Sequence, residues 1–160
     1  MKARRWFAAL AGLSVAAVAA ALVTQHVFDM QPCPWCVLQR LIFVAIALAC
    51  VVGAVVQAPA GRLVSALSAL GLAAAGVAAA LWQHFVAAKS ASCDLTLADR
   101  IVSGLVLDRL LPDVFAVRAS CAEAAANVFG VPHEFWSLAL YLAIGIGALA
   151  LLRVRDNLPA

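Results

Sequence analysis

The sequence predicts an all-α integral membrane protein, a bundle of four transmembrane helices with two loops on the outer side of the membrane. Hydrophobic residues make up 66% of the 160 residues and charged residues only 12%. A soluble domain is about 45–50% apolar and about 25% charged. Four long apolar stretches run through the chain, and its basic residues gather on one side of them. Such a chain has too little polar surface to cover a water-facing globule, so much of its surface must face lipid.

The first apolar stretch runs from about residue 6 to 23 without a charge. The basic residues before it also fit a cleaved signal peptide, and the alanines at 19–21 resemble a cleavage site. The stretch is longer than the roughly 7–15 residues of a signal-peptide core, so we expect a retained helix. The second stretch, about 41–56, approaches the roughly 20 residues that cross a bilayer once 37–38 are included.

The third stretch, about residues 63–85, and the fourth, about 135–152, also have the length of a membrane-spanning helix. Small residues such as Ser68 and Gly71 recur in the third, and such residues let membrane helices approach closely. None of the stretches alternates as a barrel strand does. We place the spans approximately at 6–28, 37–56, 63–85 and 134–152 of one membrane domain over 1–160, with loops at 29–36 and 86–133.

The basic residues predict the orientation of the chain. One side carries six bases and a single acid, Asp156; the bases are Lys2, Arg4, Arg5, Arg62, Arg153 and Arg155. The opposite side carries seven acids and four bases. The positive-inside rule therefore places both termini in the cytoplasm and both loops outside. No basic tract or Gly-rich phosphate loop is present, so the sequence does not predict a nucleic-acid partner.

Four of the five cysteines lie in the predicted outer loops. Cys33 and Cys36 belong to the first loop, and Cys93 and Cys121 to the second. Thiols outside the cytoplasm are kept oxidised, and four cysteines allow three pairings. Cys33–Cys36 is the local pairing and leaves Cys93–Cys121. Cys50 lies inside the second span, where a cysteine usually acts as a small hydrophobe.

The Cys33–Pro34–Trp35–Cys36 motif has the features of a redox pair. Cys36 falls where the second helix begins, and a helix N-terminus stabilises a thiolate. Arg40 follows four residues later on the same helix face, where its charge would add to this effect. A cation so near the lipid is costly unless it has a function or a partner.

Other interpretations remain open from the residues alone. A zinc site would need a second close pair of ligands, and the spacing of Cys93 and Cys121 is a poor match. A structural Cys33–Cys36 disulfide would gain little, because its loop is so short. Cys93–Cys121 could simply fasten a long loop, and His84 could be an interfacial anchor. The whole chain could be a non-catalytic membrane subunit, or a transmembrane thiol relay using Cys50.

The segment from Gln31 to Arg40, Gln-Pro-Cys-Pro-Trp-Cys-Val-Leu-Gln-Arg, resembles the signature of the disulfide bond formation protein B (DsbB) family. The end of the second loop is also similar, in Cys121-Ala-Glu followed by Phe129-Gly130, Pro132 and Trp136. The resemblance covers nearly the whole chain, with four spans, two outer loops and one cysteine pair in each loop.

The resemblance implies a quinone-dependent protein-disulfide oxidoreductase of the bacterial inner membrane. Such a protein reoxidises a periplasmic thioredoxin-like (DsbA-like) oxidase and passes its electrons to ubiquinone or menaquinone. The implied catalytic residues are Cys33, Cys36, Cys93 and Cys121, and the implied quinone-binding residues are Arg40, Cys36 and His84.

The resemblance also implies an order of events. The reduced partner attacks Cys93–Cys121, so that Cys93 forms the mixed disulfide and Cys121 is released. Electrons then reach the first pair through a transient Cys33–Cys93 link. Cys36 faces the quinone ring, and Arg40 holds a quinone oxygen.

Overall fold

The protein is built on four long helices, in a computed structural model that describes residues 2–56, 58–89, 97–124, 127–128 and 130–156. In chain order the helices are α1 (Lys2–Val27), α2 (Pro34–Val55), α3 (Pro59–Phe85), α4 (Leu97–Gly104), α5 (Leu107–Leu110), α6 (Pro112–Phe115) and α7 (His133–Asp156). The long helices α1, α2, α3 and α7 are each long and apolar enough to cross a membrane. The predicted all-α fold, a four-helix membrane bundle, is confirmed.

Prolines set the starts of two of the long helices. Pro34 and Pro59 occupy the first turns of α2 and α3, where the missing N–H costs nothing and the fixed φ suits a helix. Cys33 and Ala58 before them have extended backbones. As a result Trp35 and Cys36 lie within the first turn of α2.

The four long helices pack in a ring in which α2 contacts α1 and α3, and α7 contacts α3 and α1. Small residues on α3 allow α7 to approach closely. At Gly76 the absence of a side chain leaves room for the ring of Tyr141. Tyr141 is fully buried and stacks on Phe43, with the ring centroids 4.1 Å apart. This contact fixes α7 against both α2 and α3.

Large apolar side chains cover the outside of the bundle. The exposed ones on the long helices include Val15, Leu48, Val52, Val55, Leu67, Leu142 and Ile146. Exposure of this apolar surface to water would be unfavourable, whereas in a bilayer it contacts the lipid hydrocarbon.

The second loop packs partly on the bundle. Ala98 and Val102 of α4 are buried, and Val102 lies with Phe115 against Val37 of α2. A two-stranded antiparallel hairpin follows, β1 (Asn127–Val128) and β2 (Val131–Pro132), in which Val128 pairs with Val131. Its turn includes Gly130, whose φ of 78° favours glycine. Neither the hairpin nor the division into α4, α5 and α6 was predicted.

Candidate functional site: a thiol cluster at the start of the second helix

Cys33 and Cys36 lie together at the N-terminus of α2. Cys33 is the N-cap residue, with φ −83° and ψ 168°, and its Sγ accepts a hydrogen bond from the Cys36 backbone N at 3.3 Å. The two sulfur atoms are 2.7 Å apart. Since a disulfide bond is about 2.05 Å long, only a small side-chain movement separates the two thiols from the bonded form. The first turn of α2 therefore holds two cysteines that can form and break a disulfide bond.

Cys121 reaches this pair from the second loop. Cys33 is completely buried and Cys121 is 9% exposed. A hydrogen bond between the Cys33 and Cys121 side chains is the main cause that raises the pKa of Cys33 and lowers the pKa of Cys121. A backbone hydrogen bond from Trp35 also lowers the pKa of Cys121. Cys121 is thus the thiol of this contact that ionises first.

Backbone hydrogen bonds join the two loops beside these sulfurs. The Pro32 carbonyl accepts from the backbone N of Arg118 at 3.0 Å and from that of Ala119 at 3.3 Å. Cys121 therefore reaches Cys33 along a chain segment that is fastened two residues earlier. Cys93, the other second-loop cysteine in the predicted site, lies outside the described residues.

Arg40 is buried on the side of α2 that faces α1. Its guanidinium donates to Gln25 Oε1 at 2.5 Å, to the Val114 carbonyl at 3.0 Å and to the Ala21 carbonyl at 3.1 Å. Gln25 in turn donates to the Asp113 carbonyl at 3.2 Å. Arg40 is close enough for its charge to act on both Cys33 and Cys36. These bonds hold a cation beside the thiol pair and tie α1, α2 and α6 together.

Two buried glutamines that were not predicted as site residues connect Cys36 to the rest of the bundle. Gln83 of α3 donates from Nε2 to Cys36 Sγ at 3.3 Å. Gln39 of α2 donates from Nε2 to Gln83 Oε1 at 2.7 Å. One sequence signal could have indicated them, because an amide within an apolar span must find a hydrogen-bond partner inside the protein.

His84 follows Gln83 at the end of α3 and bonds to the start of α7. Its Nδ1 lies 2.7 Å from Glu134 Oε1, and its ring makes edge contacts with Phe85 and Phe135. The Glu134 side chain is 7% exposed and that of His84 is 32% exposed. His84 therefore presents one ring edge at the surface of the bundle, among aromatic side chains, and is more than a lone interfacial residue.

Cys50 lies away from this cluster. It is completely buried in α2. It follows Cys36 by 14 positions in one helix, which is roughly 21 Å at 1.5 Å per residue. No direct exchange between Cys50 and the cluster is possible at that separation.

The arrangement can carry out thiol–disulfide exchange. Each exchange needs a thiolate, a sulfur within reach and a thiol that can leave. The helix N-terminus and Arg40 favour the ionised form of a thiol at Cys36, and Cys33 lies between Cys36 and Cys121.

Comparison with known proteins agrees with this reading of the site. The family model described as "Disulfide bond formation protein DsbB" matches residues 3–151. The disulfide bond formation protein B of Burkholderia pseudomallei (strain 1106a) is 34% identical over 157 residues, which cover 97% of this chain and 93% of that protein. The protein of the same name from Herminiimonas arsenicoxydans is 35% identical over 140 residues, covering 86% and 87%. Disulfide bond formation protein B 1 of Pseudomonas syringae pv. syringae is 33% identical over 146 residues, covering 89% and 85%.

Proposed function

This chain belongs to the DsbB family of disulfide bond formation membrane proteins, and from that membership we propose that it reoxidises a periplasmic DsbA-like dithiol oxidase at the expense of membrane quinone. In the net reaction the partner's two thiols become a disulfide, and two electrons and two protons pass to the quinone, which is ubiquinone or menaquinone. The observation that carries the proposal is the contact of Cys33 with both Cys36 and Cys121 at a helix N-terminus.

The exchange begins at the second-loop pair. A thiolate of the reduced partner attacks Cys93 of the Cys93–Cys121 disulfide, and Cys121 leaves as a thiolate. Cys121 then attacks Cys33, which breaks the Cys33–Cys36 bond and releases Cys36. The resemblance implied a Cys33–Cys93 link between the loops; this scheme uses Cys33–Cys121, because Cys121 lies beside Cys33.

The remaining exchanges restore the second-loop pair. The partner's second thiol displaces Cys93 and leaves with its disulfide complete. The Cys93 thiolate attacks Cys121, which re-forms Cys93–Cys121 and releases the Cys33 thiol. Cys33 and Cys36 then hold the two electrons that entered, and they return to a disulfide by giving them up at the membrane.

The residues around Cys36 fit a quinone as electron acceptor. Cys36 is half-buried, the charge of Arg40 acts on it, and His84 lies partly exposed among Phe85 and Phe135. A bound quinone supplies an acceptor for two electrons and two protons. Arg40 would hold a quinone oxygen, Cys36 would face the ring, and His84 would offer a ring nitrogen from the neighbouring helix α3.

The proposed setting is the bacterial inner membrane. The chain would form one domain in the lipid bilayer, with both termini in the cytoplasm and both cysteine-bearing loops in the periplasm. This placement puts the thiol cluster where a soluble partner and a lipid-soluble quinone can both reach it. It rests on the basic residues at one side of the spans.

The function is tested with purified protein in detergent. A reduced thioredoxin-like oxidase and a soluble quinone are added, and quinone absorbance is followed. We expect the wild type to reduce quinone only when the dithiol partner is present, and Cys36→Ser to abolish the reduction, because it removes the thiol at the acceptor end.

Cys50→Ala is the matched control, since it also removes one cysteine from α2 but at a position outside the cluster. It should retain wild-type rates. Quinone reduction that survives in Cys36→Ser, or no quinone reduction by the wild type, would contradict the proposal. Loss of activity in Cys50→Ala would favour a thiol relay through the membrane instead.

A further inference from the structure

Two buried glutamine side chains from two helices form a hydrogen-bond chain that ends on Cys36. Beside it, the Tyr141 hydroxyl of α7 donates to the main-chain carbonyl of Gln39 at 2.8 Å, which fastens α7 to α2 at this point. Gln39 Nε2 donates to Gln83 Oε1 at 2.7 Å, and Gln83 Nε2 donates to Cys36 Sγ at 3.3 Å. Gln39 and Gln83 are 4% and 5% exposed, so neither amide can exchange its partner for bulk water.

The chain has one favourable direction. A glutamine amide offers an oxygen that only accepts and a nitrogen that only donates. Because Gln39 donates to the oxygen of Gln83, the nitrogen of Gln83 must point the other way, towards the sulfur. With the Gln39 amide in this orientation, turning the Gln83 amide over would bring two NH2 groups together and set its oxygen against a Cys36 thiolate, which costs about 1–3 kcal/mol.

A donor held in this way discriminates between the two forms of Cys36. A thiolate only accepts hydrogen bonds, whereas a thiol accepts weakly and also carries a proton that needs an acceptor. The charged and titratable groups that act on Cys36 are Arg40, Cys33 and Cys121. Gln83 differs from all three because its amide does not ionise, so its preference for the anion comes from the direction of its N–H donor.

We propose that Gln83 is a positioning residue that stabilises the Cys36 thiolate, and that Gln39 fixes the direction of the Gln83 amide. The inference rests on the proposed function, in which the Cys36 thiolate faces the quinone and passes electrons to it. A residue on α3 would then affect the reactivity of a cysteine on α2.

Alkylation of Cys36 tests the inference without quinone or partner. The background is the full chain with Cys33→Ser, Cys50→Ala, Cys93→Ser and Cys121→Ser, in which Cys36 is the remaining thiol and the serine hydroxyl can still cap α2. The rate of reaction with iodoacetamide, in which the thiolate displaces iodide, is measured across a range of pH in detergent.

We expect Gln83→Leu to slow the reaction about tenfold near neutral pH, as for a lost hydrogen bond to a charged group. At alkaline pH the rates should converge, because the thiol is then ionised in both proteins. Gln83→Glu keeps the shape but brings a carboxylate to the sulfur, so it should be at least as slow near neutral pH. Gln39→Leu should slow the reaction less, and adding it to Gln83→Leu should change nothing further.

Gln31→Leu is the matched control, because the Gln31 amide donates to Asp29 and not to a sulfur. It should react as the background does. An unchanged rate in Gln83→Leu would overturn the inference, and so would slowing by the same factor at every pH, since that indicates altered access. A wild type that fails to reduce quinone would contradict the proposed function and leave these rates as they are.

Discussion

At the scale of single residues, Arg40 contributes through both its charge and its shape. Its guanidinium bonds to Gln25 and to the carbonyls of Ala21 and Val114, so three segments depend on it. Each interaction uses a different direction of the planar group, which a lysine ammonium cannot reproduce. Substitutions of Arg40 can therefore separate its packing role from the effect of its charge on Cys36.

Replacing Arg40 with alanine should lower the Tm in detergent and raise the apparent KM for a soluble quinone. Loss of the guanidinium leaves the Gln25 oxygen short of its donor, and such a buried group costs about 1–3 kcal/mol. Arg40→Lys should lower the Tm to a similar degree but preserve more of the activity, because it keeps the charge. A lower Tm with unchanged quinone dependence in Arg40→Ala would limit Arg40 to a structural role.

The two buried thiols that meet between the loops should differ in reactivity. The Cys33 hydrogen bond lowers the pKa of Cys121, and the same bond raises the pKa of Cys33. A lowered pKa means more thiolate at a given pH, so in the reduced protein iodoacetamide should modify Cys121 before Cys33 near neutral pH. Peptide mass spectrometry after timed quenching measures the order.

The preference should narrow as the pH rises, because Cys33 then ionises as well. Cys33→Ala provides the control, since it removes the hydrogen bond and should slow modification of Cys121. Faster modification of Cys33 at neutral pH would contradict the opposite pKa directions of the two thiols.

The sequence indicated which residues form the site better than it indicated which residues they contact. The Cys-x-x-Cys motif and Arg40 stand within one short segment, where helix periodicity alone relates them. The contact of Cys33 with Cys121 joins positions far apart in the chain, and no local pattern encodes that these two cysteines meet. The bond of Gln83 to Cys36 links two helices in the same way.

At the scale of elements, the contact between α3 and α7 depends on a missing side chain. A Cβ on Gly76 would fall on the ring of Tyr141, which is fully buried and stacked on Phe43. Gly76→Ala should therefore destabilise the protein by about 1–3 kcal/mol, the usual cost of overpacking. Thermal unfolding in detergent measures the change.

Gly71 on the same helix is the matched control. A Cβ there meets nothing within 4 Å, so Gly71→Ala should leave the Tm unchanged or raise it slightly through better helix propensity. Equal effects of the two substitutions would show that the Gly76 contact does not limit helix packing.

The long helices could be predicted because each is a continuous apolar run, whereas the second loop could not be divided in advance. The polar Asp108 interrupts the apolar pattern that α4 and α5 share, and a left-handed Val106, with φ 57°, separates these helices. The strands of the hairpin have two residues each, too few for an alternating pattern to appear. Their positions depend on contacts with the bundle, such as the bond from Trp136 Nε1 to the Val128 carbonyl.

At the scale of the whole molecule, the basic residues predict which end of the bundle faces the cytoplasm. Two single-cysteine variants of a chain that is otherwise free of cysteine test this in intact cells. Val117→Cys lies in the second loop, and Ala60→Cys lies at the start of α3 on the opposite side. Both positions are exposed. A membrane-impermeant maleimide should label Val117→Cys and spare Ala60→Cys until the membrane is broken, and the reverse pattern would contradict the orientation.

The carbonyl of Pro32 that joins the two loops bears on how freely this family can diverge. Its donors are the main-chain N–H groups of Arg118 and Ala119, which every residue type except proline carries. The identity of these two side chains can therefore drift without releasing the loop. Natural selection would act on the number of residues between the fastening point and Cys121, because an insertion or deletion there moves the sulfur away from its partner.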